Sequence, residues 1–194
     1  MRPEIALVVG GANKVLEDYR AALDLCAMYA QPHVNFVCNS MIGDFPDAID
    51  NAVTLHPENL SDWLGARGSK GLNAPPVVWC HRPFNAVTDY TRDFQGSVGL
   101  FSVKIARQTD YSKIILCGVP MTVEDEHYKR KERWNACTAF QRAWTSRRGE
   151  LSLPACVRSM SGWTRAQLGF PDAAWMQSVI DIPAMRPKPF SQRA

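Results

Sequence analysis

The stretch "GSVGLFSVKIARQTDYSKIILCGVPM", residues 96–121, decides the fold. Gly96-Ser97-Val98-Gly99 is a glycine-bracketed turn, and an amphipathic run to about Thr109 follows it. Lys113 to Cys117 is then short and apolar, and it stops at Gly118. Apolar positions at helical spacing followed by a short apolar run describe a helix feeding a buried strand. A strand apolar on both faces belongs in a parallel sheet covered by helices on each side.

The same alternation runs outward in both directions. "EIALVVGGAN" reads as a strand from Ile5 to Val9, broken by Gly10-Gly11, with Asn13 placed to cap a helix. In that helix Val15, Tyr19, Ala22, Leu23 and Cys26 share one face. Val34 to Cys38, Ala52 to Leu55 and Val77 to Cys80 read as three more strands. Pro57 suits the first turn of a helix reaching about Arg67. A loop is expected from Arg82 to Gln95. A long helix is expected from about Glu124 to Arg148, with Trp134, Cys137, Phe140 and Trp144 as its buried stripe. "ELSLPACVRSM" offers an edge strand, since Pro154 is tolerated at an edge. "SGWTRAQLGFP" offers a short helix between Ser161 and Gly169. The expectation is one α/β domain over residues 1–182, a Rossmann-like three-layer sandwich with a mostly parallel sheet of five or six strands. An extended tail over 183–194 follows, marked by Pro183, Pro187 and Pro189.

The chain of 194 residues is long enough for one real core. No apolar run approaches the roughly 20 residues that span a bilayer. The apolar run from Ile5 to Val9 is too short for a signal-peptide core, so a cytoplasmic location is expected. The six cysteines form no C-x-x-C pair and read as small buried hydrophobes. A net charge of +3 is less than nucleic-acid-binding domains carry, although "HYKRKERW" (127–134) concentrates basic residues. The six tryptophans suit either the core or a homodimer interface.

Open parallel sheets bind ligands at the carboxyl ends of their strands, near a switch in strand order. The residues after each strand are therefore the candidate site. They are Gly10, Gly11 and Asn13; Asn39 and Ser40; His56; His81 and Arg82; and Gly118 to Thr122, with His127 and Tyr128 just beyond. Gly10 and Gly11 let backbone approach a ligand, and helix N-termini favour anions. The pattern is neither G-x-G-x-x-G nor a P-loop, and Asn39 stands where an NAD fold carries an acid. Ser97, with Val98 and Gly99, either caps the next helix or meets a phosphate or sugar. His56, His81 and His127 suit general acid–base work better than a metal, since their spacing matches no ligand motif and no paired carboxylate accompanies them.

The blocks "VVGGANKVLEDY", "FVCNSM" and "SVGLFSVKIARQTDYSKIILCGVPM" resemble the sialyltransferase-like and 6-hydroxymethylpterin pyrophosphokinase-like group of Rossmann-type proteins. "TLHPE", "CGVPM" and "VRSMSGWT" also resemble phage or prophage proteins of no established activity. The sialyltransferase resemblance implies that Gly11, Asn39, Ser97, Val98 and Gly99 line a nucleotide. It places Tyr128 where a phosphate-binding tyrosine lies, and Thr122 at the position of another. Pro120 replaces the usual aspartate. No histidine follows His127, so the family's base has no direct counterpart.

Together these readings give a nucleotide-sugar-dependent transferase holding its donor at the strand ends. Arg82, Tyr128 and Thr122 would meet phosphate, and His81, His127 or His56 would activate the acceptor. The acceptor would be a glycan or a modified DNA base. No cofactor beyond the donor is implied, and no metal. Two alternatives stay open: a non-catalytic nucleotide-binding protein of phage origin, and a metal-dependent hydrolase using the three histidines.

Overall fold

A computed structural model describes residues 5–92, 94, 96–133, 136–182 and 185. The apolar runs form parallel strands at the centre of the chain: β1 (Ile5–Val9), β2 (His33–Cys38), β3 (Asn51–Thr54), β4 (Val77–Cys80) and β6 (Lys113–Cys117). Two short strands, β5 (Asp89–Tyr90) and β7 (Val157–Ser159), close the edges. The order is β5-β4-β3-β2-β1-β6-β7, and every pairing is parallel. The sheet thus has seven strands rather than five or six. From β1 to β5 the chain builds one way, then β6 returns to the other side of β1. The gap between the ends of β1 and β6 is therefore the switch point.

Successive side chains of a strand point to opposite faces, which sorts the core. Ala6 and Val8 of β1 pack on one side with Phe36, Leu100, Phe101 and Trp144. Ile5, Leu7 and Val9 pack on the other with Val15, Tyr19, Met41 and Leu60. The first face is covered by α4 (Val98–Gln108) and α5 (Cys137–Ser146). The second is covered by α1 (Val15–Met28), α2 (Met41–Asp44) and α3 (Leu60–Gly68). Short helices α6 (Leu153–Cys156), α7 (Gly162–Leu168) and α8 (Ala173–Gln177) complete the layers. All six cysteines are free and buried. Among the described residues no helix is long and apolar enough to cross a membrane.

Three expectations fail. The expected loop from Arg82 to Gln95 contains the strand β5. The helix from Glu124 to Arg148 begins only at Cys137. The charged segment before it is irregular and bonds to the rest of the chain instead, so tertiary contacts override its helical composition. Asn13 caps nothing: Lys14 is the N-cap of α1, and Asn13 Oδ1 accepts from Lys131 Nζ. The expected edge strand exists as β7, with Pro154 in the helix before it. Trp134 lies outside the described residues, as do Pro183, Pro187 and Pro189 of the expected tail.

Candidate functional site

A cavity of about 690 Å³ opens at the switch point, at the carboxyl ends of β1, β2, β3 and β6. Each wall has a local cause. Gly10, just after β1, has no room for a side chain, because an added Cβ would sit 2.3 Å from the Gly118 carbonyl oxygen. Gly11 has no such crowding; its nearest neighbour would be His127 Nε2 at 3.4 Å. The chain leaves β2 at Asn39 with φ +48° and leaves β6 at Gly118 with φ +63°. Left-handed backbone suits Asn and Gly, and it turns both chain segments sharply at the rim.

Asn39 is fixed by its neighbours. His56 N donates to Thr54 Oγ1 at 2.8 Å, and Thr54 Oγ1 donates to Asn39 Oδ1 at 3.0 Å. Leu55 N also donates to Asn39 Oδ1 at 3.3 Å. The oxygen is thus committed to β3, and the amide Nδ2 is the group left for a ligand at this cavity-lining position. The N-terminus of α4 forms the facing wall. Ser97 Oγ accepts from Leu100 N at 3.3 Å and from Trp144 Nε1 at 3.1 Å, so it caps α4 and anchors α5. The first N–H groups of the helix, those of Val98 and Gly99, have no partner within the helix and suit an anion. Gly99 is small for packing reasons, since a Cβ would meet Val119 Cγ1 at 2.7 Å.

Arg130 and Arg133 also line the cavity, together with Leu55, Trp63, Met121 and Phe140. No Asp or Glu is among the described residues that line it. The chemistry is an apolar and aromatic wall facing amide, helix-end and guanidinium donors.

The three histidines do not converge. His56 lines the cavity, and its Nδ1 meets Glu58 Oε1 at 3.2 Å. Glu58 also holds Arg82 at 3.1 Å. A hydrogen bond to its own backbone, then His56 and Arg82, keep the Glu58 carboxyl below the usual range. It is therefore an anion that draws the imidazole proton to Nδ1 and leaves a lone pair on Nε2. His127 lines the cavity but is 8% exposed and fully engaged by its neighbours. His81 follows β4, outside the cavity wall, with Nδ1 against Cys80 Sγ at 3.5 Å. Burial, then Arg82, pushes its pKa down. The described residues hold no group of three or more His, Cys, Asp or Glu placed to grip a metal ion.

Three expected phosphate contacts lie away from the cavity wall. Arg82 pairs with Glu58. Thr122 Oγ1 accepts from Trp163 N at 3.2 Å. Tyr128 OH donates to Asp44 Oδ2 at 2.6 Å. Burial and the neighbouring carboxylate push the Tyr128 phenol well up, so it stays protonated. Asn13 sits outside the cavity as well. The sequence reading missed Arg130 and Arg133 as site residues, although "HYKRKERW" marked the basic cluster. It also missed Glu58, which stands two residues after His56.

No known protein family and no curated protein matches the chain. Solved structures do. One is the sialyltransferase CstII from Campylobacter jejuni in complex with a substrate analogue, cytidine 5'-monophosphate (CMP). It has a TM-score of 0.58 and 10% identity, over 89% of this chain and 87% of that one. Another is the sialyltransferase CST-II with a trisaccharide acceptor and CMP. It has a TM-score of 0.59 and 9% identity, over 96% of both chains. Nothing in these neighbours bears on a pterin pyrophosphokinase or on phage proteins. At such identities the likeness is one of fold: the chain has the Rossmann-like architecture of these sialyltransferases.

Proposed function

We propose that the chain is a nucleotide-sugar-dependent glycosyltransferase that holds its donor in the cavity between β1 and β6. The observation that carries this is the wall itself: guanidinium, amide and helix-end donors, no carboxylate among the described residues, and an exposed His56 oriented by Glu58. A phosphate-linked donor fits that set, because each donor stabilises negative charge as it develops on the leaving nucleotide. The fold it shares with CMP-binding sialyltransferases makes a cytidine nucleotide the first to test.

In this reading Arg130, Arg133 and the N-terminus of α4 receive the phosphate. His56 Nε2 takes the proton of an acceptor hydroxyl as that oxygen bonds to the anomeric carbon. The bond from that carbon to the phosphate oxygen breaks, and the electron pair leaves with the nucleotide. The acceptor would be a hydroxyl of a glycan. Arg82 acts behind Glu58 rather than on phosphate, and His127 holds structure rather than a proton in transit.

The test is a thermal-shift and turnover assay with CMP and cytidine-linked sugars. Ligand binding should raise the melting temperature by mass action. His56→Ala should cut turnover by about 10²–10⁴-fold, the usual worth of a general base, and leave CMP affinity within about twofold. Wild-type protein that binds CMP but turns over no cytidine-linked sugar would favour a non-catalytic nucleotide-binding role. No shift with any nucleotide would sink the reading.

A further inference from the structure

The segment 122–133 crosses the ends of β1 and β2 as a strap, and His127 is its central fixing point. Asn13 N donates to Glu126 O at 3.0 Å, and Tyr128 N donates to Gly11 O at 3.0 Å. Ala12 and His127 pair in an antiparallel bridge. The imidazole closes the turn that follows. Its Nδ1 accepts from Lys129 N at 3.2 Å and from Arg130 N at 3.3 Å. An acceptor at Nδ1 places the ring proton on Nε2, which donates to Ser40 Oγ at 3.1 Å. Neither ring nitrogen keeps a lone pair for a substrate. The residues aimed by this turn are Arg130 and Arg133, which line the cavity.

We propose that His127 is a positioning residue, a proton-sensitive latch that holds Arg130 and Arg133 at the cavity only while its imidazole is neutral. Anion binding in the cavity therefore weakens on mild acidification. The affinity part rests on the nucleotide reading above; the latch itself does not.

The physical argument is local. Protonation puts a hydrogen on Nδ1, where two amide N–H groups already point. Both hydrogen bonds are lost, and the turn is left with the backbone bonds from His127 N to Glu132 O and from Lys131 N to His127 O, so its Lys129–Arg130 corner loosens. The new cation also faces Lys129 and Arg130 of its own segment. Glu132 of the segment and Asp44 of α2 oppose that repulsion, while Ser40 and the tilted Tyr128 ring, 4.7 Å away, carry no charge. Asp44 is already committed to Tyr128, Lys70 and Lys129. Burial, followed by Arg130, sets the His127 pKa below the ordinary 6.5. The latch is thus fully closed above about pH 6.5 and opens as the pH falls from there towards the depressed folded value.

The experiment compares wild type with His127→Asn and His127→Phe. An Asn side chain sets its Oδ1 near the place of Nδ1, accepts the same two amides and does not titrate; Phe fills the space with no acceptor. CMP affinity is measured at about pH 8 and about pH 5, the span over which histidine changes charge. The phosphate of CMP titrates equally for all three proteins, so H127N supplies the baseline. Wild type should lose about tenfold more affinity than H127N on acidification, and H127F should bind about tenfold more weakly than wild type at pH 8. Equal pH dependence in wild type and H127N, or full affinity in H127F, would overturn the proposal.

Nitrogen NMR of the imidazole and hydrogen exchange of the Lys129 and Arg130 amides read the latch without a ligand. The Nε2–H tautomer is expected at pH 8, with those amides protected at both pH values in H127N but only at the higher one in wild type. An Nδ1–H tautomer would refute the latch. Absence of CMP binding by wild type at pH 8 would overturn the nucleotide reading and the affinity part with it, while the amide exchange would still decide the latch.

Discussion

At the scale of single residues, the site is defined by which polar atoms are already engaged. Asn39 Oδ1 serves Thr54 and Leu55, so Asn39→Asp preserves those bonds and tolerates the same left-handed φ. What changes is the atom left over: an amide donor becomes a carboxylate oxygen in a cavity that two arginines line and that we propose receives a phosphate. CMP affinity should fall at least about tenfold, and the melting temperature should move by no more than about 2 °C. Calorimetric titration alongside thermal melting checks both halves; retained affinity would remove Asn39 from the site. The adjacent glycines separate in the same way. Gly10→Ala drives a methyl into the Gly118 carbonyl and should cost about 2–3 kcal/mol, roughly 5–10 °C in melting temperature. Gly11→Ala meets ordinary contacts, so it should cost about 0.5 kcal/mol while its methyl obstructs the cavity. Equal melting losses in the two variants would contradict the assigned roles.

At the scale of elements, the helix beginning at Val98 shows what the sequence could and could not reveal. Ser97 reads at once as a cap or a ligand contact, because both need a hydroxyl at a helix start. The structure gives Ser97 Oγ two donors to accept, Leu100 N and Trp144 Nε1, and Trp144 was legible only as part of a buried stripe. Ser97→Ala should therefore cost about 2–3 kcal/mol, a lost cap plus a buried indole N–H without a partner. Trp144→Phe in the same chain should recover part of that loss, because it removes the stranded donor. Additive losses in the double mutant would break the assigned coupling. Cys137, like Phe140 and Trp144, keeps its place in the stripe, and what failed is the start of the helix. Phe140 and Trp144 do lie on one helix, α5, but the run from Glu124 to Arg133 makes its bonds to Asn13, Gly11 and Asp44. Those partners stand roughly 80 to 120 residues away in sequence, where no periodicity can see them. The strand β5 escaped for a different reason: two residues carry no alternation.

At the scale of the whole molecule, the parallel sheet was legible because β1, β2, β3, β4 and β6 are short apolar runs separated by helices. The rim residues followed from that topology without any motif. Strand order was not legible, and it explains why His81 lies outside the cavity wall. Order β5-β4-β3-β2-β1-β6-β7 sets β4 two places beyond β2, so the cavity wall ends at His56. The same topology gathers charge. The chain carries only +3, yet its cavity meets two arginines and the N-terminal end of an eleven-residue helix. Binding should depend on the ligand's phosphate more than on its base or sugar. Each charge-assisted bond is worth about 1.5–3 kcal/mol, so CMP should bind about 10²-fold or more tightly than cytidine. Part of that gain is long-range and is screened as the Debye length shrinks from about 10 Å at 0.1 M salt to about 3 Å at 1 M. Raising salt over that range should therefore weaken CMP binding several-fold and leave cytidine binding unchanged. Equal affinities for the two ligands at low salt would mean that Arg130, Arg133 and the start of α4 do not form one anion site.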